Sequence, residues 1–143
     1  MTRYRLPRKF AETTKALTAS IQKRGNPEEQ LHRSIVAHLR TRGAKHMVFW
    51  HTTNNPRSRI AGARAKAMGM LKGVPDLTII TPDQQICFME IKAPKGYLTP
   101  EQKDFRLRVE ALGCVFAVVK DIDHATNLLE SWGAITPVRA HAA

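Results

Sequence analysis

The chain has 143 residues, enough for one domain, and its 43% hydrophobic and 24% charged residues are ordinary globular composition, which excludes wholesale disorder. No apolar run approaches the roughly 18–20 residues of a membrane-spanning helix, and two cysteines, Cys87 and Cys114, are too few for a disulfide scaffold or a thiolate zinc site. A reducing, cytoplasmic setting is the expectation, and the informative quantity is a net charge of +11.

That charge sits in two places. Residues 1–25 carry Arg3, Arg5, Arg8, Lys9, Lys15, Lys23 and Arg24 against Glu12 alone. With Pro7 near the start and only weak helical periodicity, this segment reads as a flexible basic arm with at most one loose helix. No continuous apolar stretch in it suggests a secretory signal, and an organelle transit peptide is the lesser alternative. The second basic stretch is residues 56–72, with Arg57, Arg59, Arg64, Lys66 and Lys72 and no acid. The two stretches account for the whole excess. Such a footprint on an otherwise neutral body suits a polyanion, though charge alone does not separate DNA, RNA and acidic membrane. Aromatics at 6% argue against a stacking platform for single strands.

A domain is expected over residues 26–133. Asn26-Pro27-Glu28-Glu29 announces a helix, with Asn26 as N-cap, Pro27 at the first helical position and Glu29 placed to reach back as a capping-box carboxylate. Leu31, Ile35 and Leu39 line one face and Gly43 ends the helix. Residues 46–52 read as a strand running into a loop, 57–68 as a short basic helix, and Gly69 to Gly73 as the next turn. Strands 76–81 and 85–92 flank a Pro82-Asp83 turn. Leu77 and Ile79 on one face and Thr78 and Ile80 on the other mark a central strand covered on both sides. Thr99-Pro100-Glu101-Gln102 starts a further helix to about Leu112. A strand over 114–119 and a helix over 122–132 follow, then a tail, 134–143, expected to be frayed. The order predicts a single α/β domain, a mixed sheet flanked by helices, with Cys87 and Cys114 as core residues on neighbouring strands.

The chemistry gathers at Gly73-Val74-Pro75-Asp76 and Glu90-Ile91-Lys92. Residues two apart in a strand share a face, so Glu90 and Lys92 do. A hairpin centred on Asp83 sets Asp76 opposite Glu90, with Cβ atoms about 4.5–5.5 Å apart. Two carboxylates that close in a buried strand repel and are costly to desolvate. A divalent cation between them resolves both problems, and all-oxygen ligands suit Mg2+ or Mn2+. Lys92 then stands beside the metal, placed to hold a phosphate oxygen or position a water. A lone Glu-x-Lys is usually a solvated strand face, and Pro-Asp alone is an ordinary turn. Their conjunction across a hairpin in a basic protein is much more specific.

Asp76…Glu90-x-Lys92 resembles the PD-(D/E)xK nuclease superfamily. Together with Glu28-x-x-Leu31 and Leu98-Thr99-Pro100-Glu101-Gln102, the ordered set is similar to the VRR-NUC (virus-type replication-repair nuclease) domain over roughly residues 27–133. The resemblance implies a restriction-endonuclease-like fold and Mg2+- or Mn2+-dependent cleavage of DNA. It implies Asp76 and Glu90 as metal ligands, Lys92 as catalytic lysine, Glu28 as the helix acid that joins the metal set, and Gln102 as the fourth-motif glutamine. Glu28 is preferred to Glu29 because it lies on the core-facing side, three before Leu31. Gln102 also has a capping-box position, and a first-turn residue can cap and face a site at once. The position after Leu31, often glutamine in this family, is His32 here. His51 either touches the site edge or is a satisfied surface histidine, and Arg57, Arg59, Arg64, Lys66 and Lys72 either grip phosphate or form a solvated face. The functional expectation is a stand-alone DNA endonuclease of phage or bacterial type, structure-selective, without membrane attachment. The alternatives are a non-catalytic nucleic-acid-binding protein on the same fold, or a homodimeric Holliday junction resolvase whose two symmetric sites cut two strands.

Overall fold

The computed structural model describes residues 26–53 and 56–138; the basic arm expected over residues 1–25, the Asn54-Asn55 pair and the last residues of the tail lie outside the described residues. Helix α1 (Pro27–Arg42) begins as its sequence dictates, with the Asn26 side chain accepting from the Glu29 N–H at 2.9 Å and Pro27 in the first turn. The Glu29 carboxylate departs from expectation. One oxygen takes both Nε and Nη2 of Arg33, at 3.0 and 2.7 Å, one turn further on the same exposed face. Gly43 ends the helix by close approach and not by a left-handed turn: its φ is −53°, and a Cβ there would strike the Leu39 carbonyl and the Met47 side chain.

Strands β1 (Val48–His51), β2 (Leu77–Ile80), β3 (Ile86–Ile91) and β4 (Val115–Val119) form one mixed sheet in the order β1-β2-β3-β4. The first three are antiparallel, and β4 runs parallel to β3. Helix α2 (Arg59–Ala67) follows β1, α3 (Pro100–Ala111) crosses from β3 to β4, and α4 (Ile122–Ser131) closes the domain. Side-chain alternation sorts the sheet into two faces. Leu77, Ile79, Cys87, Met89 and Ile91 pack with Ile35 and Leu39 of α1 and Ala125 and Leu129 of α4. Phe88, Phe116 and Val118 pack with Phe105 and Val109 of α3 on the other. This is the α/β domain with a covered central mixed sheet that the sequence pattern predicts. Cys87 and Cys114 sit as expected, the first buried in β3 and the second leading into β4. Burial and the Cys114 thiol push Cys87 up to about 11, so it is an inert core thiol. Helix α2 buries none of its residues and stands away from both cores. Among the described residues, no helix is long and apolar enough to cross a membrane.

The tail does not fray from residue 134. Ala134 and Ile135 are buried at 0% and 2% exposure and belong to the α1–α4 core. Ile135 bridges Gly43, and the Thr136 N–H donates to the Arg42 carbonyl at 2.8 Å. Arg42 in turn donates to the Thr136 carbonyl and pairs with Glu130. An apolar pair just beyond a helix end finds a core that periodicity within the helix does not reveal. Ile135→Ala is therefore expected to cost about 2–4 kcal/mol in urea denaturation. A loss below about 0.5 kcal/mol would make the tail a surface appendage.

Candidate active site

The β2–β3 register sets the site. Leu77 faces Met89, Thr78 faces Phe88 and Ile79 faces Cys87, so the pairing continued by one residue sets Asp76 against Glu90, as the turn geometry predicts. Gly73 makes the approach possible. It holds φ +81°, and a Cβ there would run into the backbone of Glu101 and Gln102 at the start of α3. Buried Pro75 then delivers Asp76 at the mouth of β2.

Each carboxylate is held. The Ile91 N–H donates to Asp76 Oδ2 at 2.9 Å. Glu90 is 3% exposed, and its Oε1 accepts from Gln102 Nε2 at 2.7 Å and lies 2.9 Å from Lys92 Nζ. Burial, followed by the charge of Asp76, raises the Glu90 carboxyl above its ordinary range; Lys92 and the Asp76 backbone oppose that shift without cancelling it. Glu90 thus carries an uncompensated cost of ionisation, which a cation would relieve.

Gln102 does both things open to it. Its backbone N–H donates to the Thr99 hydroxyl, its Oε1 accepts from the Thr99 N–H, and its Nε2 donates to Glu90. Glu28 also lies at the site, and Glu29 does not. Glu28 Oε1 accepts from the Ala93 N–H at 2.9 Å, which ties the first turn of α1 to the end of β3 just beyond Lys92. Its carboxylate does not close with Asp76 and Glu90 into a three-ligand cluster among the described residues. The five expected residues therefore converge on one end of the sheet, between the first turns of α1 and α3, with Glu28 at the rim.

Sequence reading left two histidines undecided that the fold brings to this edge. His51 ends β1, and its Nδ1 lies 2.9 Å from the Asp76 carbonyl oxygen. His32, one turn after Glu28 on α1, meets the His51 ring edge-on with centroids 4.6 Å apart. Burial, then His51, hold His32 below the ordinary histidine range, while Asp76 pulls the other way. The available signal was the spacing of four between Glu28 and His32, which places both on one helix face.

A groove of about 790 Å³ opens beside the site between α2 and the start of α3. Arg59, Lys66 and Lys72 line it, as does Gln102. Arg57 and Arg64 are exposed on the same segment but do not line that groove. None of the five cations forms an ion pair among the described residues.

No curated protein matches the chain. Among solved structures, a "VRR_NUC domain protein" superposes with a TM-score of 0.62 at 20% identity, over 80% of this chain and 99% of that one. A second, titled "VRR_NUC domain", gives 0.54 at 19% identity over 76% and 99%. These likenesses show a shared fold. The family model of the VRR-NUC domain matches residues 26–121, from the cap of α1 past the end of β4 and through every carboxylate of the site, and the chain belongs to that family.

Proposed function

We propose that this protein is a Mg2+- or Mn2+-dependent endonuclease of phage or bacterial type that hydrolyses DNA phosphodiester bonds, prefers structured DNA and works in the cytoplasm. The observation that carries the reading is the buried Glu90 carboxylate, held by Lys92 and Gln102 opposite Asp76, at the edge of a groove lined with cations that form no ion pair among the described residues. The donor set fits a hard divalent ion, since Asp76 and Glu90 offer oxygens and Glu90 is raised by burial and then by the charge of its neighbour. Glu28, fixed on the Ala93 N–H at the rim of the site, would join that set. A cation held there supplies Lewis-acid activation of water and neutralises charge on the phosphate.

The remaining work falls to the side chains. Arg59, Lys66 and Lys72 bind the phosphates of the strand laid along the groove, and Arg57 and Arg64 extend that contact. Gln102 fixes the Glu90 carboxylate and so its aim. Lys92 donates to a phosphate oxygen as negative charge builds on it, a contact that strengthens in the transition state.

Labelled linear, flapped and four-way DNA incubated with the protein should be nicked with Mg2+ or Mn2+ and left intact with EDTA. Replacing Arg59, Lys66 and Lys72 together by alanine should weaken binding on every sequence and flatten the log–log salt slope by about 2–3. Absence of nicking on every substrate with either metal would leave a non-catalytic nucleic-acid-binding protein on this fold.

A further inference from the structure

Asp76 is shared between two clusters of different chemistry. On one side stands Glu90, an oxygen donor. On the other stand His32 and His51. One ring nitrogen of each histidine and a carboxylate oxygen of Asp76 all lie within 4.8 Å of one another. Three donors on one tetrahedral ion with bonds of about 2.1 Å stand about 3.4 Å apart, so the widest separation in the cluster needs to close by about 1.4 Å at most.

The hydrogen bonding prepares His51 for this task. A carbonyl oxygen can only accept, so the His51 Nδ1 facing the Asp76 carbonyl at 2.9 Å bears the proton. Nε2 then carries the lone pair. A ligating imidazole ordinarily has this arrangement, one nitrogen on the metal and the other donating to a backbone carbonyl that fixes the tautomer and the ring. That carbonyl is anchored too, because it also accepts from the Thr52 N–H at 3.0 Å. Three elements contribute, α1 through His32, the end of β1 through His51 and the approach to β2 through Asp76, so the cluster is a product of the fold and not of one flexible segment.

We propose that His32, His51 and Asp76 form a second divalent-cation site beside the Asp76–Glu90 pair, selective for first-row transition ions of the zinc and cobalt class over magnesium. Two imidazoles favour such ions, whereas Mg2+ prefers oxygen donors and sheds its water reluctantly. Because Asp76 belongs to both sets, an ion at the histidines fixes the carboxylate that the oxygen site also uses. The site goes beyond the nuclease reading and stands on its own geometry.

The probe is Co2+, added as its chloride to metal-free full-length protein and followed by its visible d–d absorption. Wild type should develop an intense band of a low-coordinate, nitrogen-ligated ion, resistant to excess Mg2+. His51→Gln and His32→Gln should each weaken Co2+ binding by at least about tenfold, since even lost outer-shell partners cost 10–100-fold. Glu90→Ala should keep the band. His51 is exposed, so its variant is expected to melt at the wild-type temperature and a folding defect would be visible as a lower one. Equal Co2+ affinity and spectra in wild type and both histidine variants would overturn the proposal, as would displacement of Co2+ by equimolar Mg2+. The two readings fail separately. A protein that binds Co2+ through its histidines yet nicks no DNA ends the nuclease reading alone. One that nicks with Mg2+ but shows histidine-independent Co2+ binding ends this one alone.

Discussion

Lys92→Ala is expected to lower metal-dependent nicking by about 10²–10³ while DNA affinity falls by no more than one phosphate contact's worth. The ammonium is 2.9 Å from Glu90 Oε1, its side chain is 14% exposed, and it stands at the end of β3 inside the site. Its removal leaves Asp76, Glu90 and the groove cations in place, so binding and chemistry separate. A second effect follows from the same contact. Lys92 pulls the Glu90 carboxyl down against burial and the charge of Asp76, so without it Glu90 holds its proton to higher pH. Residual cleavage by the variant should therefore have its acid limb displaced to higher pH. Measuring nicking and affinity on the same preparations guards against a folding defect, which would lower both. Full cleavage by Lys92→Ala would assign the chemistry to another group.

Glu90→Gln is expected to abolish metal-dependent nicking, retain DNA binding and raise the thermal stability of the metal-free protein. The replacement keeps an acceptor for Gln102 and removes a charge that burial and Asp76 disfavour. The sign follows from proton linkage. In the unfolded chain Glu90 ionises at its ordinary value, while in the fold it keeps its proton to higher pH, so between the two the native state binds more protons. Stability is then lost as pH rises through that window, and the penalty is absent below the ordinary carboxylate range. The variant should melt a few degrees above wild type at neutral pH, with the gap closing in acid. Mg2+ should raise the wild-type midpoint and leave the variant's in place. A variant less stable than wild type at neutral pH would mean that the Lys92 pair outweighs the burial of Glu90.

Local spacing and hairpin symmetry made much of this protein legible in advance. Asn26 and Thr99 cap their helices through contacts three residues away, which the sequence displays directly. A tight turn at Pro82-Asp83 mirrors the two strands about itself, so the opposition of Asp76 and Glu90 follows from counting. The alternation of Leu77, Thr78, Ile79 and Ile80 marked a strand covered on both faces because parallel and central strands have no solvent side to keep polar. The same spacing singled out Glu28 over Glu29, since only the former faces the domain. What the tertiary structure alone decided involves partners far apart in the chain. Glu28 finds the Ala93 N–H across 65 positions, His51 finds the Asp76 carbonyl across 25, and Ile135 finds a place against Gly43. Gln102 reaches Glu90 only because Gly73 lets its loop lie against the first turn of α3. Capping and strand pairing repeat at short, fixed intervals that a one-dimensional pattern records. Contacts between separate elements depend on how whole helices seat on the sheet, which is set by the summed packing of the core and by no single spacing.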